Sequence, residues 1–195
     1  VLVADLGGYT LDFAMLGFDR EDLSQAFTPG ATKGDWRLFE RKSYSLGVMD
    51  LDQMVYNALP PDEREAMDQL NHENDQSRLE TFHRLFYKDY KPFRVRKTSI
   101  GATAIEPIHA AVDQFVTKVV ENLDRFLDTH QYPGADQLVL TGGGSNIDKV
   151  REALIERLQP KHTHGARFSN REKPPENYHE LPAKLVRGAT AIGGT

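Results

Sequence analysis

The chain begins Val1-Leu2-Val3-Ala4-Asp5-Leu6-Gly7-Gly8-Tyr9-Thr10-Leu11-Asp12-Phe13-Ala14-Met15-Leu16, two largely apolar runs separated by a pair of glycines. An apolar run ends at Asp5, two glycines follow, and a second alternating run carries Thr10 and Asp12. Residues two apart on a strand point to the same face. The pattern therefore predicts a tight β-hairpin whose turn is bare backbone and whose flanks present two carboxylates and a hydroxyl.

This turn has two interpretations. Glycines allow backbone N–H groups to approach an anion closely. Carboxylates beside such a turn suit a hydrated magnesium ion that also contacts phosphate oxygens. The first interpretation is therefore a phosphate-and-magnesium site, and the alternative is an ordinary Gly-Gly hairpin with a polar rim.

Composition limits the function classes. The 195 residues suit one compact domain, with or without a small added lobe. The formal net charge of −5 argues against a nucleic-acid partner, which usually meets a basic face. The lack of cysteine excludes disulfides and thiolate sites and fits a reducing, cytoplasmic location. No apolar run approaches the ~18 residues of a membrane span, and no signal peptide is present, so no membrane partner is expected. Because Val1 already lies in a strand-like run, we expect a piece of a longer protein.

Periodicity and turn residues predict the other elements. In chain order these are a third, edge-like strand at Trp36 to Tyr44, a helix at Met49 to Leu59, two helices within 62–90 separated near 71–75, a short strand at Phe93 to Ser99, a long helix at Ala104 to Thr129, a buried strand at Leu138 to Thr141, a helix with Ile147, Val150, Leu154 and Leu158 inward, a short strand at Ala166 to Phe168, and a last helix near Leu181 to Ile192.

A second glycine cluster, Gly142-Gly143-Gly144, lies between the buried strand and the following helix. Ser145 or Asn146 is expected to cap that helix. Free N–H groups at a helix start favour phosphate or a ribose-phosphate edge, although glycine-rich turns also occur for packing reasons. The Walker and Rossmann glycine patterns are both missing from the sequence.

His162-Thr163-His164 is the one histidine pair with close spacing. A metal site is one interpretation of this pair. Because no carboxylate or cysteine pattern accompanies it, we predict a solvent-exposed loop pair instead.

Three segments in the same order resemble motifs of the actin and DnaK-type chaperone ATPase superfamily. Residues Asp5 to Asp12 resemble its second phosphate motif, D-[LI]-G-G-x-T-x-D. Residues Leu138 to Ile147 resemble its adenosine motif, and Ser45 to Asp52 resemble the L-G-G-x-D-[FL]-D segment between them. The resemblance implies an α/β, ribonuclease-H-like, actin-type ATPase domain: a mixed sheet of three antiparallel strands and then parallel strands, with helices on both faces. Residues 1–195 are then the second domain of that fold, with a core of 1–52 and 102–195 and a small inserted lobe at 53–101.

The resemblance also implies roles for individual residues. Asp5 binds magnesium through water, Thr10 and Asp12 lie near the γ-phosphate and the attacking water, and the remaining residues contact the nucleotide. Those nucleotide contacts are Gly7, Gly8 and Tyr9 on the β- and γ-phosphates, Gly142, Gly143, Gly144, Ser145 and Asn146 around the α-phosphate, ribose and adenine, and Glu80, His83 and Arg84 from the small lobe. Arg84 stacks on a purine in this interpretation, and is a solvated helix arginine in the alternative one.

Departures from the motifs favour a bacterial actin-like or divergent relative over a true chaperone. Val48 replaces the second glycine of L-G-G, His83 replaces a lysine, and Asn146 stands where the chaperones carry a stacking arginine.

The function implied is half of an ATPase that binds ATP or ADP with Mg²⁺ and is weakly active without its partner, the missing N-terminal domain. Three alternatives stay open: a nucleotide-dependent filament or scaffold protein of the plasmid-segregation or cell-shape type, a chaperone module with a protein client, and an inactive partner-binding relative.

Overall fold

The computed structural model describes residues 1–18, 36–71, 94–95, 98–99, 105–166, 175–182 and 186. Its centre is a six-stranded sheet, and a separate two-stranded pair accompanies it. In chain order the strands are β1 (Leu2–Leu6), β2 (Leu11–Phe18), β3 (Trp36–Tyr44), β4 (Arg94–Val95), β5 (Thr98–Ser99), β6 (Gln137–Thr141), β7 (His162–Gly165) and β8 (Tyr178–Glu180). The spatial order of the main sheet is β3-β2-β1-β6-β7-β8.

The sheet is mixed, as the sequence predicts. The strands β1, β2 and β3 form consecutive antiparallel pairs, and β6, β7 and β8 continue the sheet parallel to β1. The β1–β2 hairpin pairs Leu6 with Leu11, so the four residues between them form the turn. The three antiparallel strands followed by parallel strands are therefore confirmed.

Four α-helices lie within the described residues: α1 (Val48–Ala58), α2 (Pro61–Asn71), α3 (Ile105–His130) and α4 (Asp148–Leu158). The helical spacing of apolar residues in α3 buries one stripe, including Val112, Phe115 and Val119. This stripe joins the inward residues of α1 and α4 in one core with alternate residues of β1, namely Leu2, Ala4 and Leu6. Burial of that face provides the main driving force for folding.

The opposite face of β1 carries Val3 and Asp5, which are only partly buried. The described helices α1, α3 and α4 share the single core on the Leu2 face. Of the last helix predicted at Leu181 to Ile192, only Val186 is described as helical, while Leu181 and Pro182 precede it in irregular structure. The prediction of helices on both faces thus depends on residues outside the described ranges.

Some predicted elements differ in the structure. The single strand expected at Phe93 to Ser99 is instead the two-residue pair β4–β5. Of the strand expected at Ala166 to Phe168, Ala166 is in a bend and the other two residues lie outside the described ranges. The structure has a strand just before it, β7, whose residues His162 to His164 pair in parallel with β6. The prediction that His162 and His164 lie in a solvent-exposed loop is therefore wrong, because both lie in β7. Strand β8 was not predicted, since three residues carry too short a pattern.

Residues 72–93 lie outside the described ranges, so the second helix predicted within 62–90 does too. The inserted lobe at 53–101 and the division of the core at 52 and 102 stay predictions. In the described ranges, no helix combines the length and apolar character needed to cross a membrane.

Candidate functional site

Polar residues form a row across the top of three neighbouring strands. Asp5 in β1 lies opposite Asp12 in β2 and beside Thr141 in β6. Residues in register on adjacent strands project from the same face. Two carboxylates and a hydroxyl therefore lie side by side where β1 and β6 end.

The row contains an electrostatic conflict. Like charges directly opposite one another destabilise a strand pair, by up to about 1 kcal/mol. Asp5 and Asp12 occupy such a pair. Thr141 is 4% exposed, and its hydroxyl has no hydrogen-bond partner within the described part of the chain. Both features suit a bound group that supplies positive charge and further polar contacts.

The turn after β1 is closed by its own backbone. The Gly7 N–H donates to the Thr10 carbonyl at 2.8 Å. The Thr10 hydroxyl donates to the Asp12 carboxylate at 2.8 Å and so fixes its orientation. The Tyr9 side chain is 76% exposed, which leaves its backbone as the part that belongs to the turn.

Helix α1 holds this turn in place. The Val48 and Met49 N–H groups donate to the carbonyls of Gly7 and Gly8, at 3.0 and 2.9 Å. The α-carbon of Gly47 packs so closely on the Gly8–Tyr9 peptide that no side chain fits there. These contacts use the first free N–H groups of the helix.

The direction of those bonds determines where the turn's own N–H groups point. In a planar trans peptide the carbonyl and the following N–H point in opposite directions. Because the Gly7 and Gly8 carbonyls face α1, the Gly8 and Tyr9 N–H groups face away from it. Neither donates to a described residue. Two adjacent N–H groups of this kind form an anion-binding concavity.

The second glycine turn packs directly against the first hairpin. Gly142 has φ of 80°, and its α-carbon lies against the Asp5 carboxylate and the Leu6 carbonyl. Gly144 lies against the Leu6 side chain. The Gly142 N–H donates to the Val186 carbonyl at 2.9 Å, which links the turn to the end of the chain. Only glycine is compatible with these contacts.

The expected capping by Ser145 or Asn146 is wrong. Gly143–Asn146 form a 3-10 turn, and α4 begins at Asp148 with Ile147 as its N-cap. The Ser145 hydroxyl donates to the Gly142 carbonyl at 2.7 Å, and the Asn146 amide donates to the Gly143 carbonyl at 3.0 Å. Both side chains bond to their own turn, a local competition typical of serine and asparagine. In the described part of the chain, the Gly143 and Gly144 N–H groups have no acceptor.

Arg151 supports this turn and was missed in the sequence. Its guanidinium is fully buried, donates to the Ser145 carbonyl and pairs with Asp148. Burial lowers the pKa of Arg151, and the nearby Tyr178 and Asp148 oppose that shift. Charged residues of an amphipathic helix are expected on its exposed face, so no sequence pattern indicated that Arg151 is buried.

Tyr178 of β8 completes this buried polar cluster. Its hydroxyl donates to the Ala166 carbonyl at 2.5 Å. Burial raises the pKa of Tyr178 to about 12, although Arg151 nearby lowers it. The strand β8 is thereby tied to the end of β7.

The structure brings most of the predicted site residues together at the carboxyl ends of the central strands β1 and β6. These are Asp5, Gly7, Gly8, Tyr9, Thr10, Asp12, Gly142, Gly143, Gly144, Ser145 and Asn146. Glu80, His83 and Arg84 lie outside the described residues. The ligand roles of all these residues stay predictions.

Two further features concern possible ligands. Between α1 and α3 lies a groove of about 400 Å³ lined by Asp50, Gln53, Lys118, Glu121 and Arg125, among others, and none of the glycine-turn residues line it. Within the described ranges, no three histidine or acidic residues are arranged to hold a metal ion by themselves. Cation binding beside Asp5 therefore requires oxygens from a ligand or from water.

Comparison with known proteins gives little to add. No protein-family model matches the chain, and no curated protein matches it. Among solved structures, the chain is similar to one described as "PilM-PilN type IV pilus biogenesis complex", at 13% identity and a TM-score of 0.47. The alignment covers 95% of this chain and 36% of that one, so this chain spans about a third of its length. So distant a likeness carries no functional argument.

Proposed function

We propose that the chain is the nucleotide-binding half of an actin-like switch ATPase, with ATP or ADP and Mg²⁺ as its ligands. The observation that carries the proposal is the meeting of the two glycine turns. One turn follows β1 and the other follows β6. Asp5 lies between them, because it is opposite Asp12 in the hairpin that contains the first turn, and its carboxylate lies against Gly142 of the second turn. Ligands of open α/β sheets bind at the carboxyl ends of the strands.

Backbone N–H groups provide the phosphate contacts in this proposal. Gly8 and Tyr9 contribute from the first turn, and Gly143 and Gly144 contribute from the second. The side that a methyl group would occupy at Gly8 and at Gly143 is open space, so a ligand can approach either backbone. Such fixed donors stabilise phosphate charge without reorganisation.

The carboxylates fit Mg²⁺. Mg²⁺ keeps several waters and binds proteins through one or two carboxylates plus phosphate oxygens. Asp5 supplies one carboxylate, and a cation beside it relieves its repulsion with Asp12 on the neighbouring strand. When bound, Mg²⁺ neutralises charge on the phosphate oxygens.

Asp12 is the residue proposed to orient the attacking water. The Thr10 hydroxyl fixes one carboxylate oxygen, which leaves the other to accept a hydrogen bond from water. Phosphoryl transfer depends mainly on such positioning and on charge stabilisation. We expect weak hydrolysis from this half alone, because it would contact the phosphates from one side and a second domain would supply the remaining contacts.

Calorimetric titration with Mg-ATP, on this chain and on the natural full-length protein, tests the proposal. Asp5→Asn should weaken binding at least tenfold, because it removes one charge from the cation site. Asp113→Asn is the matched control, since Asp113 is an exposed α3 residue paired with Lys149. Absence of Mg-ATP binding by the full-length protein, or equal loss in both variants, would refute the proposal.

One observation favours the filament or scaffold alternative. Strand β3 is an outer strand of the described sheet, and its Leu38 and Phe39 side chains are each 57% exposed. Exposed apolar residues on an outer strand favour association. Nucleotide-dependent light scattering that disappears in Leu38→Lys supports this alternative, and scattering that does not respond to nucleotide or to the variant contradicts it.

A further inference from the structure

Three histidines form a cluster on β7 and β8, on the sheet face that carries Asp5. His162 and His164 are two apart on β7, and His164 lies opposite His179 on β8. His164 is also in register with Val139, which lies on the Val3 and Asp5 face. The sheet thus brings together imidazoles that are distant in sequence.

The rings are in direct contact. The rings of His164 and His179 stack with centroids 4.9 Å apart, and those of His162 and His179 lie 5.6 Å apart. The register of β7 and β8 places His179 opposite His164, and stacking holds the His179 ring against the His164 ring. His162 and His179 are both exposed, so solvent and small ions reach them.

The separation of two ring nitrogens is informative. His179 Nε2 and His162 Nδ1 are 3.5 Å apart. That distance is long for a hydrogen bond with an N–H donor, for which about 2.7–3.2 Å is usual. Two nitrogens bound to one tetrahedral zinc, each at about 2.0–2.1 Å, are separated by about 3.4 Å. The observed spacing is thus a long hydrogen bond without an ion and also matches two ligands of one ion.

We propose that His162 and His179 bind a divalent transition-metal cation, with Zn²⁺ as the preferred ion. Imidazole nitrogens suit zinc, copper and nickel, whereas magnesium and calcium prefer oxygen ligands. Water or a group from another molecule completes the coordination, because this pair supplies two nitrogens and zinc prefers four ligands. This site lies on β7 and β8, whereas Asp5 and Asp12 lie on β1 and β2 with β6 between the two sites. It is independent of the proposed nucleotide function.

Calorimetric titration of the chain with zinc chloride, at neutral pH in a non-chelating buffer, tests the site. We expect one Zn²⁺ per chain and at least a tenfold weaker affinity in His162→Ala and in His179→Ala. His130→Gln is the matched control, because His130 contacts Phe126 and Tyr132 at the end of α3 and is expected to leave affinity unchanged. Asp5→Asn is also expected to bind zinc normally, which separates this site from the proposed magnesium site.

Thermal unfolding followed by circular dichroism provides a second readout. An ion that binds only the folded state raises the melting temperature. We expect zinc to raise it in the parent and in His130→Gln, and not in His162→Ala. Lack of zinc binding by the parent, or equal affinity in the parent and in both alanine variants, would overturn the proposal.

Discussion

The substitution Gly142→Ala tests whether the second glycine turn packs so closely on the hairpin that position 142 must be glycine. A methyl group at Gly142 meets the Asp5 carboxylate and the Leu6 carbonyl, and φ of 80° is unfavourable for alanine. With ψ of 164°, Gly142 lies in a backbone region adopted almost only by glycine, which costs another residue about 1–3 kcal/mol. Overpacking against the hairpin adds about 1–3 kcal/mol. The expected loss in the free energy of unfolding is therefore about 2–6 kcal/mol. A loss of about 3 kcal/mol lowers the melting temperature by about 6–12 °C in a chain of this size.

Urea denaturation followed by circular dichroism measures this loss, and two matched variants separate its causes. Gly143→Ala in the same turn meets nothing within 4 Å and is expected to change stability by less than about 0.5 kcal/mol. Gly134→Ala has φ of 144° in open space, so it isolates the backbone cost, about 1–3 kcal/mol. If Gly142→Ala were as stable as Gly143→Ala, Gly142 would not be in close contact with Asp5 and Leu6.

The remaining predictions concern the buried polar cluster behind the turn. Arg151→Met should destabilise the chain by about 3–5 kcal/mol, because it removes the guanidinium from the buried Ser145 carbonyl and from Asp148. Lys149→Met, which breaks an exposed pair with Asp113, should cost under about 1 kcal/mol by the same urea assay; similar losses would show that Arg151 is not buried. Tyr178 should make stability fall with rising pH: its pKa is raised from 10 to about 12, so the unfolded chain loses this proton first, and the stabilisation present below pH 10 is lost as pH rises towards 12. Unfolding measured from pH 9 to 12 should therefore show a steeper decline in the parent than in Tyr178→Phe, and parallel curves would contradict the assigned pKa.

The parts of the fold predicted from sequence are those with a repeating pattern. Alternation through Val1 to Leu16 indicated the hairpin, and the apolar stripe of α3 indicated a long helix, since burial of one face selects both patterns. The glycines were recognised for the same physical reason that the structure shows, close approach of backbone to its surroundings.

The features that were missed depend on tertiary context. Arg151 is buried only because Ser145 and Asp148 surround its guanidinium, and sequence spacing does not show this. Ser145 and Asn146 were assigned as caps because of their residue type, but their side chains bond within the 3-10 turn. The contact between His162 and His179 arises from parallel pairing of strands whose partners are distant in sequence.

Amide chemical shifts during a titration with Mg-ATP show directly whether the two glycine turns bind phosphate. In ¹H–¹⁵N correlation spectra, we expect saturable shifts at Gly8, Tyr9, Gly143 and Gly144, because their N–H groups have no acceptor among the described residues and would donate to phosphate. The Gly7 amide, already bonded to Thr10, should shift less. Adenosine without phosphate should leave Gly8 and Tyr9 unchanged. Unchanged amides in both glycine turns at excess Mg-ATP, or shifts confined to other parts of the chain, would show that these turns do not bind the nucleotide.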